Sequence, residues 1–204
     1  MKKYLKFVAI APLFMAVLCE EDQEENCGFE PPEAYTVNIE NTATTYAANE
    51  TIWLNAQTSS MLIDNCSETE DTELVTDSEL FIDGLFILKL NNQTDLNAEV
   101  FTDATITFDI GELFTFNACV ESISYIPELT DNNQFYQYRL GVSVNTPGDY
   151  CVVSAYSNAF NLNTENNAQI FEAYNTLNDE IRFESCNTVF IRTGTDGHYF
   201  FRVQ

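Results

Sequence analysis

Positive charge is scarce in this chain. Its 204 residues hold eight Lys and Arg against 32 Asp and Glu, a formal net charge of −24 at pH 7. Nucleic-acid binding draws most of its affinity from Lys and Arg on phosphates, so the composition argues against such a partner. Histidine is scarcer still, with His198 the single one. A Ser-His-Asp or Cys-His centre would have to use it, and Thr195-Asp196-Gly197-His198 reads as an ordinary turn. G-x-S-x-G, H-E-x-x-H, P-loop and G-x-G-x-x-G stretches are all missing. The six cysteines include no C-x-x-C pair, which speaks against a zinc cluster or a thioredoxin-like site. No catalytic set, metal-ligand set or cofactor motif emerges. Long apolar runs are lacking too. The one at Phe7–Leu18 is about 12 residues long, roughly 18 Å as a helix, where a bilayer core needs about 20 residues.

That short run is flanked in a telling way. Lys2, Lys3 and Lys6 precede it, Cys19 closes it, and Glu20, Glu21, Asp22, Glu24 and Glu25 follow. This is the three-part form of a secretory signal. Residues 1–18 are read as the signal peptide, 19–33 as an acidic tether ending near Pro31-Pro32, and 34–204 as the folded body. Without the signal, Lys89, Arg139, Arg182, Arg192 and Arg202 are the only basic residues left. The stretch Ala16-Val17-Leu18-Cys19 resembles the lipobox of bacterial lipoproteins, in which the cysteine is acylated. Leu18 stands where that pattern prefers Gly, Ala or Ser. The acidic tract resembles the export signal of Gram-negative surface lipoproteins. The resemblance implies a membrane attachment through a lipid on Cys19 and display on the outer face of the outer membrane. Ordinary cleavage near Cys19 would instead give a secreted protein.

The body carries enough apolar mass for a core, with 45% hydrophobic residues, 16 Phe and 10 Tyr. Strand signals dominate it. Tyr35, Val37 and Ile39 alternate with polar residues, as do Ala104, Ile106, Phe108 and Ile110, and Tyr136, Tyr138, Leu140, Val142 and Val144. Leu80–Leu90 reads as a buried strand broken at Asp83-Gly84. The turn Asn145–Asp149 predicts a hairpin over 134–156. Thr188–Arg192 and Tyr199–Val203 read as a second hairpin. One short helix is expected near 167–177, where Ile170, Tyr174 and Leu177 share a face and Asn166 with Gln169 forms a cap-like pair. The sum is a mainly β protein, an antiparallel β-sandwich. It forms one domain or two small β subdomains with a boundary near 127–134. Gly148-Asp149-Tyr150-Cys151-Val152-Val153 resembles a late strand of immunoglobulin-like modules. Asn49–Asp64 and Phe81–Leu90 resemble uncharacterised surface lipoproteins with β-sandwich ectodomains, in which Gly-Asp usually precedes the TIW. No activity is attached to that group.

Disulfides are expected in an exported chain. Cys66, Cys119, Cys151 and Cys186 allow three pairings. Cys119–Cys151 is the preferred one, because the two sit at similar places in neighbouring strands, and Cys27 is the expected odd cysteine. Trp53, Tyr136 and Tyr138 are the candidate ligand-binding residues, the two tyrosines forming a stripe on one strand face. Asp131-Asn132-Asn133 and Asp196-Gly197 offer oxygen ligands for calcium, without EF-hand spacing. These readings favour a non-enzymatic binding or structural role in the envelope, with an envelope protein as partner. The alternatives are a glycan-binding module of a polysaccharide uptake system and a glycoside hydrolase built on two carboxylates.

Overall fold

The computed structural model describes residues 28–33, 35–65, 71–115, 121–155, 167–174, 179–194 and 197–204. The chain runs through β1 (Asn38–Ile39), β2 (Thr45–Tyr46), β3 (Thr51–Ser59), β4 (Met61–Ile63) and β5 (Thr72–Leu74). A 3-10 turn at Ser78–Phe81 leads into β6 (Asp83–Leu90), β7 (Ala98–Val100), β8 (Thr105–Ile110) and β9 (Glu112–Phe114). Then come β10 (Ile123–Ile126), β11 (Glu128–Leu129), β12 (Phe135–Ser143) and β13 (Gly148–Ser154). The helical turn α1 (Gln169–Glu172), β14 (Glu180–Ser185), β15 (Thr188–Thr193) and β16 (His198–Val203) complete it.

Two antiparallel sheets pack face to face. The smaller has five strands in the order β1-β3-β12-β11, with β8 also paired to β12. The larger has seven, in the order β2-β16-β13-β6-β10-β9, with β7 also on β6. Among the described strands only the short β2–β16 contact is parallel. Alternation decides which face of each strand turns inward. Ile52, Leu54, Tyr138, Leu140 and Val142 from the smaller sheet meet Leu85, Ile87, Tyr150, Val152 and Phe201 from the larger in one apolar core. The larger sheet is apolar on its other face as well. There Phe86, Leu88, Cys151, Val153 and Phe200 pack under α1 and the β14–β15 hairpin, through Ile170, Phe171, Ile181 and Phe183. Residues 127–134 carry the chain from the larger sheet to the smaller, and strands from both sides of that stretch share both sheets.

The fold class is as the sequence predicts, but several details differ. Asn145–Asp149 does reverse the chain, yet β12 and β13 are not partners. β12 pairs with β3 and β8, whereas β13 pairs with β6 and β16. The turn is an arch between sheets. β12 is apolar on one face only and suits the sheet that meets water. β13 buries Tyr150 and Val152 on one side and Cys151 and Val153 on the other, so it belongs between two cores. The second expected hairpin fails for the same reason. β16 is buried on both faces and joins β13, while β15 pairs with β14. Leu80–Leu90 is a strand only from Asp83 onward, because Asp77 caps the 3-10 turn by accepting the Glu79 N–H at 3.0 Å. The helix is the single turn α1, and the expected cap residue Asn166 lies outside the described residues.

Candidate functional site

On the outer face of the smaller sheet, polar side chains and an aromatic ring are organised together. Along β3, Thr51, Trp53, Asn55 and Gln57 share that face. Along β12, Gln137, Arg139, Gly141 and Ser143 share it. The register sets Trp53 opposite Gly141, Asn55 opposite Arg139 and Gln57 opposite Gln137. Glycine at 141 makes room for the indole. A Cβ there would meet Trp53 Cζ3 at 3.2 Å and Thr51 Cγ2 at 2.6 Å. The ring therefore rests over position 141, and the Arg139 guanidinium carbon lies 4.0 Å from its centroid. That is cation–π geometry.

Two carboxylates hold the guanidinium in place. Arg139 Nε and Nη2 donate to Glu40 Oε1 and Oε2 at 2.6 and 2.8 Å, and Nη1 donates to Asp109 Oδ2 at 3.0 Å. The Glu40 pair is the two-pronged fork that a planar guanidinium makes with a carboxylate. Asn55 Nδ2 adds a bond to Glu40 Oε1 at 3.0 Å. Glu40 stands just past β1, positioned by its own N–H on the Trp53 carbonyl at 3.0 Å. The Arg139 bonds hold the Glu40 carboxyl below its usual range, against a smaller upward push from burial and with help from Asn55. The same carboxylate raises the Arg139 pKa. Beside this clamp an open hollow of ≈ 360 Å³ is lined by Asn38, Glu40, Asn55, Gln57, Gln137 and Arg139 among others. Chemically, the face offers amide and guanidinium donors, amide and carboxylate acceptors, and one ring edge. All but Glu40, just past β1, are set on strands, and the central cation is already oriented.

The expected site residues are scattered by the fold. Trp53 is on this face. Tyr136 and Tyr138 do share a strand face, as expected, but it is the inward one, and both are 1% exposed. Tyr136 stacks on Phe81 with centroids 3.9 Å apart and donates its hydroxyl to Val75 O at 3.1 Å. Tyr138 packs against Tyr35 and Tyr125 at 5.4 and 4.5 Å. As exposed platforms they are corrected to core residues, since the inner face of β12 is where the two sheets meet. Cys19, Cys66 and Cys119 lie outside the described residues. Cys151 is a free, fully buried thiol, so the expected Cys119–Cys151 bond is not made. Its side chain points into the roofed core, and burial pushes its pKa well up. Cys186 is disulfide-bonded, and Cys151 is not its partner. Of the calcium candidates, Asn132 closes a local turn, accepting from Thr130 Oγ1 at 2.7 Å and from the Gln134 N–H at 3.2 Å. Asp196 lies outside the described residues. Among the described residues no group of three His, Cys, Asp or Glu is placed to hold a metal. His198 begins β16 and is buried.

Sequence reasoning missed Arg139, Glu40 and Asp109. The available signal was scarcity. Arg139 is one of five basic residues after the signal segment and sits in mid-strand, where a lone cation on a half-buried strand calls for nearby carboxylates. No family model matches the chain, and neither does a curated protein or a solved structure.

Proposed function

We propose that this chain is a cell-surface lipoprotein, acylated on Cys19 and held at the outer face of the outer membrane by the 19–33 tether. It works by binding a second envelope protein and not by catalysis. The observation that carries the binding role is the Arg139 clamp over Trp53 on the outer face of the smaller sheet, which no other described element covers. Tryptophan and arginine dominate the energetics of protein interfaces. Side chains already fixed by hydrogen bonds lose less entropy when a partner lands on them. The address rests on the first 25 residues, and the strongly acidic composition suits a body kept soluble outside the cell.

A second reading, a glycan-binding module, draws on the hollow beside the clamp. Its amides, carboxylate and guanidinium present paired donors and acceptors of the kind that grip vicinal hydroxyls. One experiment separates the two. Mature protein, wild type and Arg139→Ala, is used in parallel for envelope pull-down and on a polysaccharide array. Capture of one envelope protein by the wild type, lost in Arg139→Ala, supports the leading reading. Retention on a polysaccharide that drops in Trp53→Ala supports the second. Equal retention by wild type and both variants in the two assays removes this face from the function. The address is tested by the intact mass of protein from its native host, where an unprocessed, unacylated cytosolic chain would overturn it.

A further inference from the structure

We propose that β15 is a strand-addition edge through which two copies of this chain pair. The two β15 strands lie antiparallel about a two-fold axis at Ile191 and make one four-stranded sheet, β14-β15-β15-β14.

The hairpin dictates which groups β15 shows to solvent. Its turn is two residues, Cys186-Asn187, with φ of 55° and 60°, as a mirror-image hairpin turn requires. Ser185 and Thr188 close the ladder, and the register continues 184/189, 183/190, 182/191, 181/192, 180/193. Just past it the Gly194 N–H donates to Asp179 O at 2.8 Å. Hydrogen-bonded pairs alternate with open ones along such a ladder. Thr188, Phe190 and Arg192 therefore turn their N–H and C=O toward β14, while Val189, Ile191 and Thr193 turn theirs away. Among the described residues the one bond to those outward groups is a long contact, Arg192 Nη1 to Ile191 O at 3.5 Å. The side chains beside them are exposed as well, Val189 at 55% and Ile191 at 46%.

Open edges invite pairing with another chain, and proteins blunt them with short strands, charges, bulges or covers. The other described edges here are blunted in these ways. β1, β2, β4, β5, β7, β9 and β11 run only two or three residues. β8 is as long as β15 but carries Asp109 and a register break against β12. The far edge of β14 is capped by Asn97, which donates to Glu180 O at 2.8 Å and accepts the Arg182 N–H at 2.8 Å. β15 has six residues, Thr-Val-Phe-Ile-Arg-Thr, with no proline, no carboxylate and no described strand beyond β14.

Charge selects the occupant. A chain of net charge −24 repels its own copies, so two copies meet best where no carboxylates face each other. One register pairs all three outward residues: Val189 with Thr193 of the second copy, Ile191 with Ile191, and Thr193 with Val189, through about six main-chain hydrogen bonds. Arg192, whose guanidinium carbon is 5.8 Å from its own Phe190 centroid, then falls opposite Phe190 of the second copy. Glu180 and Glu184 stand one strand back, on β14. The two β14 strands are three strand spacings apart, about 14 Å, beyond a Debye length of about 8 Å at physiological salt. A basic strand from another protein would set its charges against Arg192 and find no carboxylate on the seam.

This pairing goes beyond the envelope-binding reading and leaves the Arg139 face free. The test is sedimentation of the mature protein, made without the acyl group so that lipid cannot drive association. Wild type is expected to be a dimer that dissociates on dilution and tightens as salt is raised, because salt screens the repulsion between copies. Ile191→Lys and Ile191→Glu each place like charges directly opposite at the two-fold, and each alone is expected to be monomeric. An equal mixture of the two variants should restore the dimer, which a misfolded variant would not do. Arg139→Ala should associate as wild type does, whatever it does to capture of an envelope protein. A monomeric wild type leaves the edge to a strand of another protein and overturns the self-pairing. A dimer that weakens with salt, survives in both Ile191 variants, is not restored by mixing them, or is lost in Arg139→Ala overturns it too.

Discussion

The two outer faces of the sandwich make opposite bargains with water. The larger sheet sends Phe86, Leu88, Cys151, Val153 and Phe200 outward, and the chain adds α1 and the β14–β15 hairpin to cover them. Polar side chains fasten that roof. Asn97 donates to Glu180 O at 2.8 Å and accepts the Arg182 N–H at 2.8 Å. Asn167 donates to Ala43 O and Phe200 O at 2.9 and 3.0 Å. The smaller sheet sends Trp53, Asn55, Gln57, Gln137 and Arg139 outward, and among the described residues nothing of the chain covers them. One face is therefore built for stability. The other is left to solvent with its cation already clamped, which is the arrangement expected of a surface meant to meet something else.

The largest expected effect breaks that comparison from the roofed side. Phe183 is fully buried, T-shaped to Phe86 at 5.2 Å and stacked on Phe190 at 5.4 Å. Phe183→Ala removes a packed ring and leaves a cavity, with an expected cost of about 3–5 kcal/mol in denaturant unfolding. Trp53→Ala removes a larger ring from the bare face, and its expected cost is about 1 kcal/mol. Equal losses for the two would mean that the bare face carries as much of the fold as the roof does.

A middle-sized effect compares two carboxylates by their pH dependence. Asp83 is 4% exposed in the inter-sheet core, accepting from the Gly84 N–H at 2.8 Å and from Tyr125 Oη at 3.0 Å. Burial raises its pKa more than those bonds lower it. Its contribution is therefore full below the unfolded value of about 3.9 and is lost as pH rises through the folded one. Asp149 lies at the seam under the roof, gripped by Arg202 at 2.6 and 2.9 Å and by Tyr174 at 2.8 Å. The Arg202 bonds lower its pKa, so its contribution is present above about 3.9 and is lost as pH falls through the folded value. Asp83→Asn keeps an acceptor for Gly84 and removes the charge. The variant's melting temperature should exceed that of wild type by about 2–4 °C at pH 7. The gap should close as pH falls toward 4. Asp149→Asn should show the reverse, less stable at pH 7 and converging with wild type in acid. A pH-independent gap for Asp83→Asn would show that its carboxylate bears no desolvation cost.

Half of this architecture was legible in the sequence because alternation reports burial directly. The period-two rows at Tyr35–Ile39, in β8 and in β12, and the β-sandwich they imply, follow from side chains that must choose a face. Pairing was not legible, since alternation says which face is inward and not which strand lies alongside. The one clue was β13 and β16, where consecutive residues are apolar. Both faces of such a strand must be covered, and that rules out a partner such as β12 that meets water. The same limit governs the site. Trp53 was readable as a lone tryptophan. Tyr136 and Tyr138 were on a common face, but nothing local told inward from outward. The clamp joins residues far apart in sequence, Glu40, Asp109 and Arg139, and only the register of three strands brings them together.

The smallest expected effect is also the most specific to the bare face. Trp53 is the chain's only tryptophan, so its emission reports this surface without interference. Arg139 covers part of the ring and is itself held by Glu40 and Asp109. In Arg139→Ala the ring loses its cover while the core beneath β12 keeps all its contacts. Quenching of Trp53 by acrylamide should therefore rise, with the melting temperature unchanged to within about 2 °C. Glu40→Gln leaves the guanidinium in place but halves its anchorage, so its quenching should fall between wild type and Arg139→Ala. Contacts of this kind between half-exposed charges are weakened by salt. The wild-type quenching constant should accordingly drift toward that of the variant as salt is raised. Identical quenching in wild type and Arg139→Ala would mean that the cation does not rest on the ring in solution. The uncovered sheet would then be only a solvated face.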